Sequence, residues 1–248
     1  MRATIGRDSA GRRGLTLIEV VVILGIVVVL IALLLPLSRG SREAARRAQC
    51  VNNLRLLALG LWNYQEAHAK ALPPAWTLDA AERPSHDWRT LILPHIDERS
   101  LYHSINLAVP WDDPANRTAR DSRVLAFVCP GSPAPRTTTS TTYLATLEPS
   151  GCLVPGRPRP LDEVTDGMTN TLVAIEAGED RAVPWVAPRD ADEAVLLGLA
   201  TAKLHHPRGT NAAFLDGHVW FLRADTPPRI LRALATVDGG ETIDPNSY

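Results

Sequence analysis

Four side chains between positions 205 and 218 are of types that bind metal ions. His205 and His206 precede an apolar segment, and Asp216 and His218 follow it. Imidazole and carboxylate groups suit zinc and similar ions. The segment between His206 and Asp216 is predicted to be a strand, and five to ten strand residues span about 17–33 Å. These two residues therefore cannot share an ion unless the chain folds back.

Structural roles are favoured for the same residues. Asp216 is expected to hold a turn through an Asx-type bond to its own backbone, and His206 to hydrogen-bond a loop carbonyl. The patterns G-x-S-x-G, H-E-x-x-H and the P-loop do not occur in the sequence, so we expect no catalytic residue and no enzyme. The remaining candidate acids are scattered and are expected to be solvated or to cap helices: Glu98, Asp162, Glu163 and Glu176.

Aromatic residues suggest a further kind of site. Several tryptophans could line a sugar-binding face. In a chain with 20 prolines, packing in the core or pinning of loops is the favoured role. The tryptophans concerned are Trp76, Trp88, Trp111, Trp185 and Trp220.

The three cysteines show no C-x-x-C spacing, which excludes a zinc ribbon and a thioredoxin motif. Cys50 lies on the predicted apolar face of a helix, and Cys129 ends a predicted core strand. A Cys50–Cys129 disulfide that leaves Cys152 free is one expectation, because such a bond persists outside the cytoplasm. Three buried free thiols are the alternative, and the residues alone leave both open.

The first predicted structural element of the chain is a helix formed by a long apolar run. Eighteen of the 21 residues at 15–35 are apolar, and the exceptions are Thr16, Glu19 and Gly25. A run of about 20 apolar residues predicts a transmembrane helix, and the basic flank at 1–14 predicts that the amino terminus stays in the cytoplasm. Glu19 is the one carboxylate in this run. Because a carboxylate inside a membrane costs free energy, its presence there indicates a functional role. Pro36 is expected to end or kink the helix.

Beyond Pro36 the helical period continues in a polar segment. Residues 36–71 are predicted to form an amphipathic half-helix, with one apolar face built from Cys50, Leu54, Leu57, Ala58, Leu61 and Gln65. Residues 72–248 are predicted to form a β-rich globular domain with strands at 124–129, 141–147 and 170–176. A hairpin at 211–222 is expected to turn at Asp216-Gly217 in a two-residue type I′ turn, before a helix at 229–236. The expected fold class is α+β, a long helix packed on an antiparallel sheet with long loops.

The segment GLTLIEVVVILGIVVVLIALLLP closely resembles the class III signal of type IV prepilins and type II secretion pseudopilins. The resemblance implies a leader at 1–14 that is cleaved after Gly14, and a new N-methylated terminus at Leu15. It also implies that Glu19 pairs with the terminal amine of another subunit during assembly. Leu15 stands where phenylalanine is commoner in that family.

The rest of the chain resembles a large bacterial family of prepilin-like proteins whose main domain has no assigned activity. The resemblance rests on the ordered motifs AARRAQCVNNLRLLALGLWNY, WRTLILPHID, FVCP, TDGMTNTLVAIE, HPRGTNAAFLDGHVWFL and LRALATVDGGE. The family's His-x9-Asp-Gly signature is matched by His206, Asp216 and Gly217. It implies a pilin-like fold and no known reaction. Major pseudopilins carry a calcium site in a late loop, for which Asp238, Glu241 and Asp244 are weak candidates. No other cofactor is expected.

The resemblance implies a structural subunit of a type IV pilus or a type II secretion pseudopilus. The expected partners are the inner membrane, a prepilin peptidase, and like subunits or other pilins that contact the N-terminal helix. The expected location is a single pass through the inner membrane, with the main domain in the periplasm or at the cell surface. With a net charge of −1, the chain lacks the excess of basic residues that is typical of nucleic-acid-binding proteins, so no nucleic-acid partner is expected. The alternative is a membrane-anchored module that binds glycans or peptides and does not polymerise.

Overall fold

A computed structural model describes residues 16–34, 37–133, 138–147 and 150–244. The chain forms two compact units, residues 1–44 and residues 45–248. The first unit contains helix α1 (Leu17–Leu34) and the start of helix α2 (Leu37–Ala67). In the part of the chain that the structure describes, no helix is long and apolar enough to cross a membrane. The transmembrane segment at 15–35 stays a prediction, and the kink predicted at Pro36 lies outside the described residues.

The part of α2 that belongs to the second unit buries the face predicted from its periodicity. Its buried positions repeat every three or four residues, which places them on one side of a helix with 3.6 residues per turn. Gly60 lies on this helix where a neighbouring segment approaches closely, since a Cβ there would be 2.7 Å from the Ile96 side chain. The buried residues of this face are Cys50, Leu54, Leu57, Ala58, Leu61 and Gln65.

A four-stranded antiparallel sheet forms the centre of the second unit. Its strands are β5 (Tyr143–Ala145), β7 (Leu172–Glu176), β9 (Gly209–Phe214) and β10 (Val219–Arg223), in the order β10-β9-β7-β5. Strands β9 and β10 form the predicted hairpin, with Val219 opposite Ala213 and Arg223 opposite Gly209. The observed fold is therefore α+β with an antiparallel sheet.

Three two-stranded ribbons and five short helices surround this sheet. The ribbons pair β1 (Ala71–Leu72) with β6 (Arg159–Pro160), β2 (Trp76–Leu78) with β3 (Pro84–Asp87), and β4 (Ser140–Thr141) with β8 (Val183–Pro184). The short helices are α3 (Trp88–Ile92), α4 (Arg99–His103), α5 (Arg117–Arg120), α6 (Glu193–Leu197) and α7 (Pro228–Ala235). Helix α7 lies within one residue of the helix predicted at 229–236.

Strands β5, β7 and β9 of the central sheet are buried on both faces, because their side chains are divided between two apolar clusters. Tyr143 and Ala145 on β5 face the cluster that contains the buried side of α2. Leu144 between them faces a second cluster, which contains Leu231 and Leu234 of α7. Successive strand residues point to opposite faces, so a strand covered on both sides is apolar throughout. This accounts for the continuous apolar run of β7 from Leu172 to Ile175, which Glu176 ends.

Two local predictions are wrong. Residues 124–129 do not form a strand, because Leu125–Phe127 is a 3-10 turn and no strand of the described part pairs with it. Phe127 instead stacks on Trp185 with ring centroids 5.4 Å apart. The hairpin turn is not type I′, which requires positive φ at both central residues. Of Asp216 and Gly217, only Gly217 has it, at 91°, and the Gly217 N–H donates to the Phe214 carbonyl within the loop that joins β9 to β10.

Candidate functional site

Buried polar side chains gather where strands β7 and β9 lie side by side. Glu176 ends β7, and its carboxylate accepts a hydrogen bond from Nδ2 of Asn211 on β9 at 2.8 Å. His205 and His206 immediately precede β9. Nδ1 of His205 lies 3.2 Å from Oε1 of Glu176, and Nε2 of His206 lies 3.3 Å from Oε2 of Glu176. The adjacency of two strands therefore brings together residues that are about 30 positions apart.

The second nitrogen of His205 also faces a carboxylate. Its Nε2 lies 3.0 Å from Oε2 of Glu179, which in turn accepts a hydrogen bond from the Ser132 hydroxyl at 2.6 Å. Burial opposes protonation of His205, but the hydrogen bonds and charges of Glu176 and Glu179 outweigh it and raise the pKa of the ring. Both ring nitrogens of His205 therefore face a carboxylate, so the ring bridges Glu176 and Glu179.

Glu176 is ionised although it is buried. Burial favours the neutral acid, but hydrogen bonds from His205 and His206 outweigh that effect, and Asn211 adds to it. The resulting pKa of Glu176 is lowered to about 2. A buried charge is tolerated only where it is paired and hydrogen-bonded, and Glu176 meets both conditions.

A disulfide lies against this cluster. Cys50 of α2 and Cys129 are bonded with their Cα atoms 5.2 Å apart, and Cys152 is a free buried thiol. This is the pairing expected from the sequence, rather than three free thiols. The sulfurs of Cys50 and Cys129, one carboxylate oxygen of Glu176 and one ring nitrogen of His206 all lie within 4.8 Å of one another. Each of these four residues is at most 2% exposed.

We call Cys50, Cys129, Glu176 and His206 the sulfur–histidine cluster. Its burial leaves no room for a substrate beside the reactive atoms, so the arrangement suits bracing of the fold or retention of an ion. The sequence predicts a disulfide between Cys50 and Cys129, and it offers His206 as a metal ligand only in a group with His205, Asp216 and His218. Glu176 is treated there as a scattered acid. The signal that could have identified Glu176 is its position at the end of an otherwise apolar strand, since a charge there requires a partner.

The His-x9-Asp-Gly signature is divided between the two ends of β9. His206 joins the sulfur–histidine cluster, and its Nε2 faces Glu176. Asp216 lies in the turn after β9, where its Oδ1 accepts from the backbone N–H of His218 at 3.1 Å and contacts Nδ1 of the same ring at 2.6 Å. The Asx-type role predicted for Asp216 is confirmed, and the structure places His206 and Asp216 at separate sites.

Glu19 lies in the first turn of α1. Its carboxylate accepts hydrogen bonds from the backbone N–H of Thr16 at 2.8 Å and from the Thr16 hydroxyl at 2.9 Å. The Glu19 N–H donates back to the same hydroxyl at 3.4 Å. This reciprocal arrangement is a capping box, and it holds the acid at the start of the helix. The predicted processing residues Gly14 and Leu15 lie outside the described residues.

The candidate calcium ligands are not brought together. Among the residues that the structure describes, Asp238, Glu241 and Asp244 do not form a group that could hold a metal ion. The loop that carries them is instead fixed by Asp166, whose carboxylate accepts from the backbone N–H groups of Gly239 at 2.8 Å and Gly240 at 2.7 Å. A carboxylate from another segment thus stabilises the loop without an ion.

A second buried ionic group was not predicted. The guanidinium of Arg89 is fully buried, and it donates to Asp87 at 2.9 Å and to Asp190 at 2.8 Å. The Trp88 indole N–H and the Ala145 backbone N–H also donate to Oδ1 of Asp190. Asp190 lines a cleft of about 470 Å³, and its Oδ1 accepts all of the hydrogen bonds described above. The ionic group joins α3 to β5 and to the segment around 190.

Apolar side chains remain exposed on the outer side of α2. Leu59 is 51% exposed and Trp62 is 37% exposed. Together with Met168 and Gly217 they line a groove of about 430 Å³. Trp88 and Trp185 are buried, as expected for core residues, whereas Trp220 is 48% exposed. Exposed apolar surface of this kind is typical of contact sites.

Residues 39–196 match the family SBP_bac_10, described as a protein of unknown function (DUF1559). This range is more than half of the chain, and it contains Cys50, Cys129 and Glu176. Gly14, Glu19 and the His-x9-Asp-Gly signature lie outside it. Neither a curated protein nor a solved structure matches the chain.

Proposed function

The chain belongs to this family of unknown function, SBP_bac_10 (DUF1559), and we propose that it acts as a pilin-like structural subunit. In this proposal a prepilin peptidase cuts between Gly14 and Leu15, the new terminus is methylated, and the apolar helix anchors the chain in the inner membrane. The subunits then assemble into a type IV pilus or a type II secretion pseudopilus.

The position of Glu19 carries the proposal. It is the only charged residue in the apolar run at 15–35, and its contacts to Thr16 hold the carboxylate in the first turn of α1. Cleavage after Gly14 would create an amine at Leu15, four residues away. An acid at that depth requires a cation, and the freed amine of a neighbouring subunit supplies one.

The apolar surface of α1 supports the same proposal. The large apolar side chains of α1 between Leu17 and Ile31 are 41–86% exposed. Apolar surface in water costs roughly 25 cal/mol per Å², so a helix of this composition needs lipid or neighbouring copies to cover it. Leu59 and Trp62 on α2 offer further apolar contact area for like subunits.

The decisive experiment has two arms, which test cleavage and assembly separately. The intact mass of the membrane-extracted wild-type chain should correspond to residues 15–248 plus one methyl group. Gly14→Val should retain residues 1–14, because a side chain obstructs close approach of the protease to the backbone. Gly25→Ala is the matched control, since a Cβ there would have no neighbour within 4 Å, and it should be cleaved normally.

The second arm replaces Glu19 with Gln, which removes the charge and keeps the length of the side chain. This variant should be cleaved and inserted but should be lost from crosslinked oligomers and sheared filaments. A wild-type chain that keeps its leader and stays monomeric would reject the proposal in favour of an anchored binding module. Normal incorporation of Glu19→Gln into oligomers would reject the role given to Glu19.

A further inference from the structure

The sulfur–histidine cluster has the composition of a metal site as well as that of a disulfide. Two sulfurs, an imidazole nitrogen and a carboxylate oxygen lie within 4.8 Å of one another in the interior. We propose that Cys50, Cys129, Glu176 and His206 bind one zinc ion when the Cys50–Cys129 disulfide is reduced. This inference does not depend on cleavage, methylation or assembly of the chain.

The ligand types and their spacing fit zinc. Structural zinc is bound by four cysteine, histidine or carboxylate ligands in a tetrahedron, at about 2.3 Å to sulfur and 2.0 Å to nitrogen or oxygen, so ligand atoms lie about 3.3–3.8 Å apart. Nε2 of His206 and Oε2 of Glu176 are already 3.3 Å apart. After the S–S bond breaks, the two sulfurs must separate, and a ligand pair at the 4.8 Å limit must close by about 1 Å. Four protein ligands leave no open coordination position, so the site is structural.

Neighbouring groups already orient two of the ligands. Asn211 and His205 hydrogen-bond the Glu176 carboxylate, at 2.8 Å and 3.2 Å. The backbone N–H of Gly131 donates to Sγ of Cys129 at 3.2 Å, a contact that holds the sulfur in position. Gly131 also lies close above the cluster, since a Cβ there would be 3.4 Å from Cε1 of His206. Such outer contacts fix the geometry of metal ligands and raise affinity.

The disulfide and the zinc ion exclude each other. Reduction by a dithiol breaks the S–S bond, gives two thiols and turns the dithiol into a disulfide; zinc then displaces the two thiol protons. In the reverse direction a small disulfide oxidant accepts two electrons from the bound thiolates. The Cys50–Cys129 bond forms, the oxidant leaves as two thiolates, and the ion is released. The disulfide therefore ties α2 to the segment at Cys129, and the zinc ion would tie both to Glu176 of β7 and to His206.

Cobalt titration of the full-length chain in detergent tests the proposal. Tetrahedral Co²⁺ with thiolate ligands has intense visible bands and a near-ultraviolet sulfur-to-metal band. After reduction with a phosphine, the chain should develop both signals with one equivalent of Co²⁺ and lose them on addition of Zn²⁺. The untreated, disulfide-bonded chain should develop neither. Absence of both signals from the reduced chain would overturn the proposal.

Two variants locate the ion without removing a ligand. Cys152→Ser removes the one other cysteine and should leave both signals unchanged, whereas loss of the signals would assign the ion elsewhere and overturn the proposal. Asn211→Ala removes a positioning residue and should weaken Co²⁺ affinity by about 10–100-fold at unchanged band positions. Unchanged affinity would contradict the arrangement around Glu176. Circular dichroism of each variant establishes that it is folded.

Discussion

Replacement of Arg89 by methionine would test how the second unit tolerates buried charge. The guanidinium donates to Asp87, to Asp190 and to four backbone carbonyls, and all three ionic side chains are fully buried. Methionine preserves much of the apolar stem and removes the cation. Two carboxyl groups then remain in the interior without their counter-charge. The carbonyls that lose a donor belong to Tyr143, Trp185, Ala187 and Arg189.

The expected loss of unfolding free energy is about 3–5 kcal/mol at pH 7, the usual cost of removing one partner from a buried ion pair. Arg189→Met is the matched control, because the same substitution at an exposed arginine should change stability by less than about 0.5 kcal/mol. Urea unfolding of the full-length chain in detergent, followed by tryptophan fluorescence, measures both.

The pH dependence distinguishes lost charge from lost packing. Burial already raises the pKa of Asp87 and of Asp190, and Arg89 opposes this. In Arg89→Met the opposing charge is absent, so both pKa values rise further above those of the unfolded chain. A group with a raised folded pKa stabilises at pH below its unfolded pKa and loses that contribution as the pH rises. The deficit should therefore shrink towards about pH 4. An equal deficit at both pH values, or one below about 1 kcal/mol at pH 7, would refute the reasoning.

Three other predictions concern single positions. Glu176 has a folded pKa of about 2 against an ordinary value of 4.5. About 3 kcal/mol of unfolding free energy should therefore be lost as the pH falls from 4.5 towards 2. In urea unfolding, Glu176→Gln should show a smaller loss over the same pH range. Gly209→Ala would place a Cβ 2.2 Å from the Leu222 carbonyl oxygen and should cost about 1–3 kcal/mol, whereas Gly198→Ala has open space and should cost less than about 1 kcal/mol. Burial raises the pKa of Cys152 to about 12, so mass spectrometry should find it unalkylated by iodoacetamide until the chain unfolds.

Features that depend on near neighbours in the chain could be predicted from the sequence. The buried face of α2 follows from a 3.6-residue period, and every residue assigned to it is buried. The β9–β10 hairpin follows from two apolar runs around Asp216-Gly217. Even there, the turn type depends on backbone angles that the dipeptide alone does not determine. Asp216 keeps negative φ and accepts from the His218 N–H, so only Gly217 adopts positive φ.

Features that depend on distant pairing could not be predicted. Arg89 and Asp190 are 101 positions apart, and neither has a local signal for its partner. Glu176 meets His206 only because β7 lies beside β9 in the sheet. The run at 124–129 has the composition of a strand, yet the strand order places other segments beside the sheet, and Phe127 packs on Trp185 instead. The Cys50–Cys129 pair could be anticipated because the face of α2 was correct, although the strand assigned to Cys129 was wrong.

The disulfide also determines where tension enters the second unit. Among α2 residues 43–67, for which the structure describes burial, Cys50 is the first buried position, and it is bonded to a residue 79 positions further along the chain. A pull on the amino-terminal side of the chain therefore reaches Cys50 and passes through a covalent bond to Cys129. Residues 54–65 of α2 follow Cys50 in the chain. Because part of the force passes through the disulfide, these residues are not pulled directly away from the apolar cluster that covers them. The resistance of this end of the unit to a pulling force thus depends on whether the two sulfur atoms are oxidised or reduced. The apolar packing of α2 bears the load only after the disulfide has been broken.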